Sequence, residues 1–293
     1  MVVLGRLRGR GATRKRRTVN GRRVLVTGAA SGIGRATAQA VAQRGGRLIL
    51  TDIDEAGLAD TVRDVEASGG VVDSSRALDI SQYDDVAAFA DDVHAAHGAV
   101  DVVMNVAGIS AWGTVETMPH EHWRQLVEVN LMGPIHVIQT FVPAMIAAGR
   151  GGYLVNVSSS AGLLAFPWHA AYSAGKFGLR GVSEVLRFDL ARHGIGVSLV
   201  VPGAVRTPLV ETVRIAGVDR ADPKVRRLEN HFHDRAAEPQ DVALAILRGM
   251  ERGHFLVYSG NDIRFAFWLQ RKFALPYEIA MQAANDYFTR LLK

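Results

Sequence analysis

Short apolar runs rich in β-branched residues alternate along this chain with longer stretches whose apolar positions recur every three or four residues. The short runs at 23–27, 47–51, 71–78, 100–105, 153–157, 196–201 and 255–258 predict strands, and the periodic stretches at 35–44, 55–68, 83–97, 121–148 and 171–193 predict helices. Strands separated by helices of this length need right-handed crossovers, which give parallel pairing. The expected fold class is α/β: a single doubly wound domain over residues 20–260, with a parallel sheet of about seven strands and helices on both faces.

In such sheets ligands bind beyond the carboxyl ends of the strands. The first predicted strand stops at Gly28-Ala29-Ala30-Ser31-Gly32-Ile33-Gly34, and a helix follows. Glycines in a strand-to-helix turn let the backbone approach a pyrophosphate, and the helix start offers free N–H groups and a positive dipole end. The domain is therefore expected to be of Rossmann type. The second strand leads into Asp52, placed either to accept hydrogen bonds from adenosine ribose hydroxyls or to cap the next helix. As a ribose ligand it would repel a 2′-phosphate, so Asp52 and the uncharged Ser31 favour NAD as cofactor, with NADP the alternative that Arg35 would suit. Asp79, Asn105-Val106-Ala107-Gly108, Ser159 and Pro202-Gly203 end later strands on the same edge.

Chemistry is expected between Ser158 and Lys176. Tyr172 and Lys176 are four apart, which puts both on one helix face. An ammonium near a phenol favours the phenolate, so the Tyr172 hydroxyl could act as a general acid or base. Ser159, thirteen residues earlier at a strand end, could hold a substrate oxygen, with Ser158 and Ser160 as rivals.

Composition removes other chemistries. The chain has no cysteine, which excludes disulfides, thiolate metal centres and thiol nucleophiles. Its ten His residues show no spacing such as H-E-x-x-H, so no metal is expected. The net charge of +5 suggests nucleic acid until it is divided along the chain. Residues 1–23 hold nine of the 34 Lys/Arg and no acid, leaving 25 bases against 29 acids, a net of −4, for the remainder. The basicity belongs to a leader, residues 1–19, with too little apolar content to fold and no apolar core of a secretion signal. It could touch an anionic surface, act as an address label, bind nucleic acid or be a solvated tail; no nucleic-acid partner is expected of the domain.

Taken together, T-G-A-A-S-G-I-G (27–34), D-I (79–80), N-V-A-G (105–108), Asn130 in V-N-L, Ser159, Y-S-A-G-K (172–176) and P-G-A-V-R-T-P (202–208) resemble the short-chain dehydrogenase/reductase family from Arg23 to Ser259. Val106 departs from the pattern, where a second Asn is usual. The resemblance implies that Tyr172 is the acid/base, that Lys176 favours its phenolate and holds the nicotinamide ribose, and that Ser159 binds the substrate oxygen. Asn130 would hold a water linking Lys176 to solvent. Cofactor contacts implied are Gly28, Ser31, Gly32, Ile33, Gly34, Asp52, Asp79, Ile80, Asn105, Ala107, Gly108, Tyr172, Lys176, Pro202, Gly203, Val205 and Thr207. The activity implied is NAD(P)-dependent interconversion of a secondary alcohol and a ketone. A ketone reductase using NADP and a nucleotide-binding regulatory protein without turnover are the alternatives. A homodimer or homotetramer built through 121–148 and 171–193 is expected, in the cytoplasm.

Bulky apolar residues past the catalytic strands, Ile109, Trp112, Leu163, Phe166, Trp168, Leu209 and Val213, suit a hydrophobic substrate such as a steroid, retinoid or acyl chain, with His169 near them. Within residues 207–237, the mixed stretch from Val210 to Ala237 is expected to be a mobile lid. Residues 261–293 form an extension with Phe265, Phe267, Trp268 and Phe273 among basic residues, then a break at Pro276 and a second apolar-periodic run. It could lie on a membrane surface, or pack over the substrate pocket or a neighbouring subunit.

Overall fold

A computed structural model describes residues 17–211, 213–218, 222–223 and 236–292. The leader's residues 1–16 and most of the expected lid lie outside the described residues. The chain is already packed at Val19, which is fully buried in the core, so the leader ends earlier than the expected 19.

Seven strands form one parallel sheet in the order β3-β2-β1-β4-β6-β7-β9. They are β1 (Arg23–Thr27), β2 (Arg47–Asp52), β3 (Val71–Ala77), β4 (Val102–Asn105), β6 (Gly152–Val157), β7 (Ile195–Val201) and β9 (Leu256–Tyr258). Successive side chains of a strand point to opposite faces. Val24, Val26, Leu48 and Leu50 meet α1 (Gly32–Gln43), α2 (Glu55–Ala67) and a later helix through Val41, Leu58 and Ile246. Leu25, Ile49, Val103 and Leu154 meet α3 (Tyr83–His97) and α5 (Gly133–Ala148) through Phe89, Val93, Val137 and Phe141. Each such side chain contributes roughly 1.5–3 kcal/mol when buried, so the two apolar layers hold the sheet between them. The strand order reverses between β1 and β4, and the loops after these two strands face each other there.

The helix expected over 121–148 is nearly continuous. α4 (His120–Val127) passes through a π-helical turn, Glu128–Met132, into α5. By length and composition His120–Ala148 could cross a membrane, but α5 supplies Val137, Phe141, Val142 and Met145 to the second layer. α6 (Ala170–Asp189) crosses behind β6 and β7.

Some elements were not anticipated. β5 (Ala111–Trp112) pairs in parallel with β8 (Arg214–Ile215) beyond the sheet, and the short α7 (Pro208–Glu211) precedes β8. α8 (Pro239–Arg252) is the helix that joins the first layer. The extension folds as α9 (Asn261–Lys272) and α10 (Ala274–Leu292). The break comes at Phe273, not Pro276. Pro276 sits in the first turn of α10, where N–H groups have no helical acceptor and a proline is tolerated.

Candidate active site

The turn after β1 is shaped by close backbone approaches. Gly28 has φ +70°, and a Cβ there would fall 2.7 Å from Ala107 Cα; one on Gly34 would overlap Gly28 O. Thr27 Oγ1 accepts from Val106 N at 3.1 Å and Ala107 N at 3.2 Å, so the loops after β1 and β4 are tied together. Between them runs a cleft of about 240 Å3 lined by Gly28, Ser31, Gly32, Ile33, Gly34, Asp52, Asp79, Ile80, Ala107, Gly108 and Thr207. All had been expected to meet a cofactor. The first turn of α1 opens on the cleft with no acidic residue and no side-chain cap from Ser31, leaving its N–H groups and positive dipole end for a ligand anion. A dinucleotide's pyrophosphate fits this cradle.

Asp52 does not cap α2; Asp54 does, accepting from Gly57 N at 3.1 Å. Asp52 instead accepts from Ala30 N at 2.9 Å and Asp54 N at 3.0 Å, with its carboxylate on the cleft wall. Arg35 is engaged by Asp64 at 2.5 Å. Six expected cofactor residues do not line the cleft: Tyr172 and Lys176, described below, and Asn105, Pro202, Gly203 and Val205. Asn105 is buried and donates to Asn156 Oδ1 at 2.9 Å. Pro202 accepts from Ser160 N, Gly203 donates to Ser259 Oγ, and Val205 pairs with Ala237, so these three shape the strand end from behind.

Lys176 and Asn130 close the inner end of the cleft. A Cβ on Gly108 would lie 2.8 Å from Asn130 Oδ1 and 3.2 Å from Lys176 Nζ. The Asn130 side chain bonds the backbone of Ile109. Set by the π turn, its Oδ1 accepts from Ile109 N at 3.0 Å and its Nδ2 donates to Ile109 O at 2.9 Å. Lys176 is 4% exposed, donates to Val157 O at 3.1 Å, and is lowered by burial to about 8. Its Nζ is 5.8 Å from the centre of the Tyr172 ring.

Tyr172 is 8% exposed and hydrogen-bonds to Ser159. Burial raises its phenol and the Ser159 bond opposes that rise. In the protein alone, burial is the largest influence on the Tyr172 phenol. Among the three serines, Ser158 is tied inward, donating to Lys176 O at 2.9 Å. Ser159 accepts from Ala161 N at 3.1 Å and faces Tyr172. A buried chain from Asn105 through Asn156 to Ser183 fastens α6 to β4 and β6, which sets the depth of Tyr172 and Lys176.

Around Tyr172 the surface is aromatic. His169 lies 4.6 Å from the Trp112 ring, 5.9 Å from Phe166 and 6.3 Å from Tyr172. Burial lowers its imidazole, which stays neutral with Nδ1 bonded to Pro167 O at 2.7 Å. Trp168 has φ +66°, a strained conformation for a bulky residue, and its carbonyl accepts from Gly113 N at 2.8 Å. Ile109 and Leu209 reach the cleft, and Val213 is buried. Leu163 is not a pocket residue: it packs into a third apolar cluster with Leu199, Val201, Ile263 and Phe267. The cleft also takes Ile53, Leu78 and Val129, which carry no sequence signal beyond being apolar near a strand end or helix. A larger cavity of about 730 Å3 lies along β9 and holds none of the expected residues.

Comparison with known proteins agrees with this geometry. The sequence profile of the short chain dehydrogenase family matches residues 22–216. The chain is 36% identical over 273 residues to SadH of Mycobacterium tuberculosis, named as an oxidoreductase, with 92% of this chain and 96% of that protein covered. It is similar to the structure of a short chain dehydrogenase/reductase from Burkholderia phymatum in complex with NAD, at TM-score 0.79 and 31% identity, over 87% of this chain and 94% of that one. It is also similar to a metagenomic short-chain oxidoreductase in complex with NADP, at TM-score 0.66 and 35% identity, over 82% of this chain and 96% of that one.

Proposed function

Because the chain belongs to the short chain dehydrogenase family, we propose that it interconverts a hydrophobic secondary alcohol and its ketone with NAD, Tyr172 serving as acid and base. The observation that carries this reading is the convergence of Ser159, Tyr172 and Lys176 where the cleft ends at Gly108. A nicotinamide dinucleotide in the cleft supplies the hydride chemistry. The chain's residues do the rest. Gly28, Gly34 and the start of α1 would cradle the pyrophosphate, and Asp52 would accept from the adenosine ribose hydroxyls. Lys176 would donate to the second ribose. The Tyr172 phenol gives its proton to the carbonyl oxygen in reduction and takes it back in oxidation, while the Ser159 hydroxyl donates to that oxygen as charge develops on it. Asn130 acts through Ile109 as a positioning residue. The aromatic wall of Trp112, Phe166 and Trp168 favours an apolar substrate.

Preference for NAD rests on Asp52 standing on the cleft wall rather than capping α2, and on Arg35 being occupied by Asp64. Exposed Val185 and Phe188 on α6 support assembly of two or four copies through that helix. Initial rates with NAD and NADP across a panel of hydrophobic secondary alcohols test the reading. NAD should give the higher kcat/KM by about tenfold or more, and Tyr172→Phe should keep NAD affinity while losing roughly 10²–10⁴-fold in kcat. A Tyr172→Phe enzyme with near-normal kcat would sink the assignment.

A further inference from the structure

Away from the cleft, the C-terminal helices present an unusual surface. α9 turns Ile263 and Phe267 inward and leaves Phe265 and Trp268 61% and 50% exposed, their rings stacked at 5.8 Å. Phe273, at the bend and 49% exposed, meets Trp268 edge-on at 6.0 Å. Leu275 and Ile279, one turn apart on α10, continue the exposed apolar surface. Exposed apolar groups this contiguous mark an interaction site.

Cations border the same surface. Arg248, Arg252 and Arg264 line the larger cavity beside β9, and Arg271 and Lys272 close α9. None of these five forms an ion pair among the described residues, although residues 24–293 carry a net charge of −4. Burial raises the Tyr258 phenol at the sheet edge, and Arg264, Arg180 and Arg271 oppose that rise. Arg17 lies against Gly253 on this edge. Of the acids on the two helices, Asp262 sits in the first turn of α9, where it offsets the positive helix end, and Asp286 accepts from Gln282; Glu278 is the third.

Partner chemistry follows from the two features together. A second copy meeting this face on itself would set Arg264, Arg271 and Lys272 against their own images. Nucleic acid would leave Phe265, Leu275 and Ile279 without apolar contacts. An anionic bilayer takes both, with rings and aliphatic groups in the acyl boundary and cations among the head groups. We propose that the outer face of α9 and α10, with the basic edge beside β9, docks the protein on an anionic lipid surface. Docking needs no turnover, so it stands independently of the enzymatic reading.

Co-sedimentation of the full chain, with NAD present, tests it on vesicles of phosphatidylcholine alone and with about one third phosphatidylglycerol. Binding should be several-fold stronger to the anionic vesicles and should weaken several-fold as salt rises. Combined Phe265→Ser, Trp268→Ser and Phe273→Ser substitutions should cut binding at least fivefold with unchanged melting temperature and activity. Combined Arg264→Glu and Lys272→Glu should remove the preference for anionic lipid. The proposal is overturned if the anionic vesicles leave the wild type in solution, or if the serine variant binds as well as the wild type. It is equally overturned if the serine substitutions lower the molar mass by light scattering, since a second copy would then own the surface.

Discussion

An ammonium buried at the inner end of the cleft destabilises the protein that holds it. Lys176 falls to about 8 from an ordinary 10.5 because burial disfavours its charge. A folded value below the unfolded one means that the unfolded chain binds more protons between those limits, so this group makes stability rise with pH from about 8 to about 10.5. Below that window the full penalty applies, roughly 3 kcal/mol at ~1.4 kcal/mol per pH unit. Lys176→Met removes the penalty and forfeits about 1 kcal/mol for the bond to Val157 O. The variant should therefore be roughly 2 kcal/mol more stable than the wild type at pH 7 in denaturant titrations, with the gain vanishing toward pH 10.5, and it should not turn over. Lower stability of the variant at pH 7 would contradict the assignment. At this scale the sequence was informative about identity and poor about orientation. The spacing of Tyr172 and Lys176 put them on one face, and the resemblance chose Ser159. That Ser158 turns into Lys176 O, that Asp54 relieves Asp52 of capping, and that burial is the largest influence on the Tyr172 phenol all depend on side-chain packing, which spacing does not encode.

Elements show a different division. The inner strands β2, β1, β4, β6 and β7 were legible because helices cover both faces, which makes their sequences largely apolar runs, and the helices because each buries one stripe. β5 and β8 were not, since two residues carry no period and their partners are about a hundred positions apart. α8 bears ordinary signals, Pro239 in its first turn and Gly253 in the left-handed conformation at its end, yet the mixed charged stretch before it obscured them. The π turn at Glu128–Met132 is likewise invisible to a helical reading, and it is what points Asn130 at the Ile109 backbone. Asn130→Ala would leave an N–H and a carbonyl of the loop after β4 without partners, costing about 2–4 kcal/mol. Urea unfolding should show that loss. KM for NAD should rise together with it, because the loop forms one wall of the cleft; a destabilised variant with unchanged KM would confine Asn130 to a structural role.

On the scale of the whole molecule, the end of the chain returns to the catalytic region. Tyr277, on α10, accepts from Ala165 N at 2.8 Å across 112 residues of sequence, and packs with Phe166 in the cluster that also holds Leu163 and Phe267. Phe166 belongs at the same time to the apolar group around Tyr172. The extension therefore serves as an outer support for the loop that carries the aromatic wall, as well as exposing Trp268 on its far side. The bond is to an exposed backbone amide and is worth only about 0.5–1.5 kcal/mol, too little to matter for folding and enough to bias a loop. Tyr277→Phe keeps the ring in its cluster and deletes only the acceptor. Melting temperature and NAD affinity should stay within error of the wild type. KM for a bulky apolar alcohol should rise about two- to tenfold, the factor that such a bond corresponds to, while KM for a small alcohol that does not reach Phe166 stays the same. Equal changes for the two alcohols would place the effect in the catalytic residues themselves, and no change for either would detach the last helix from the substrate site.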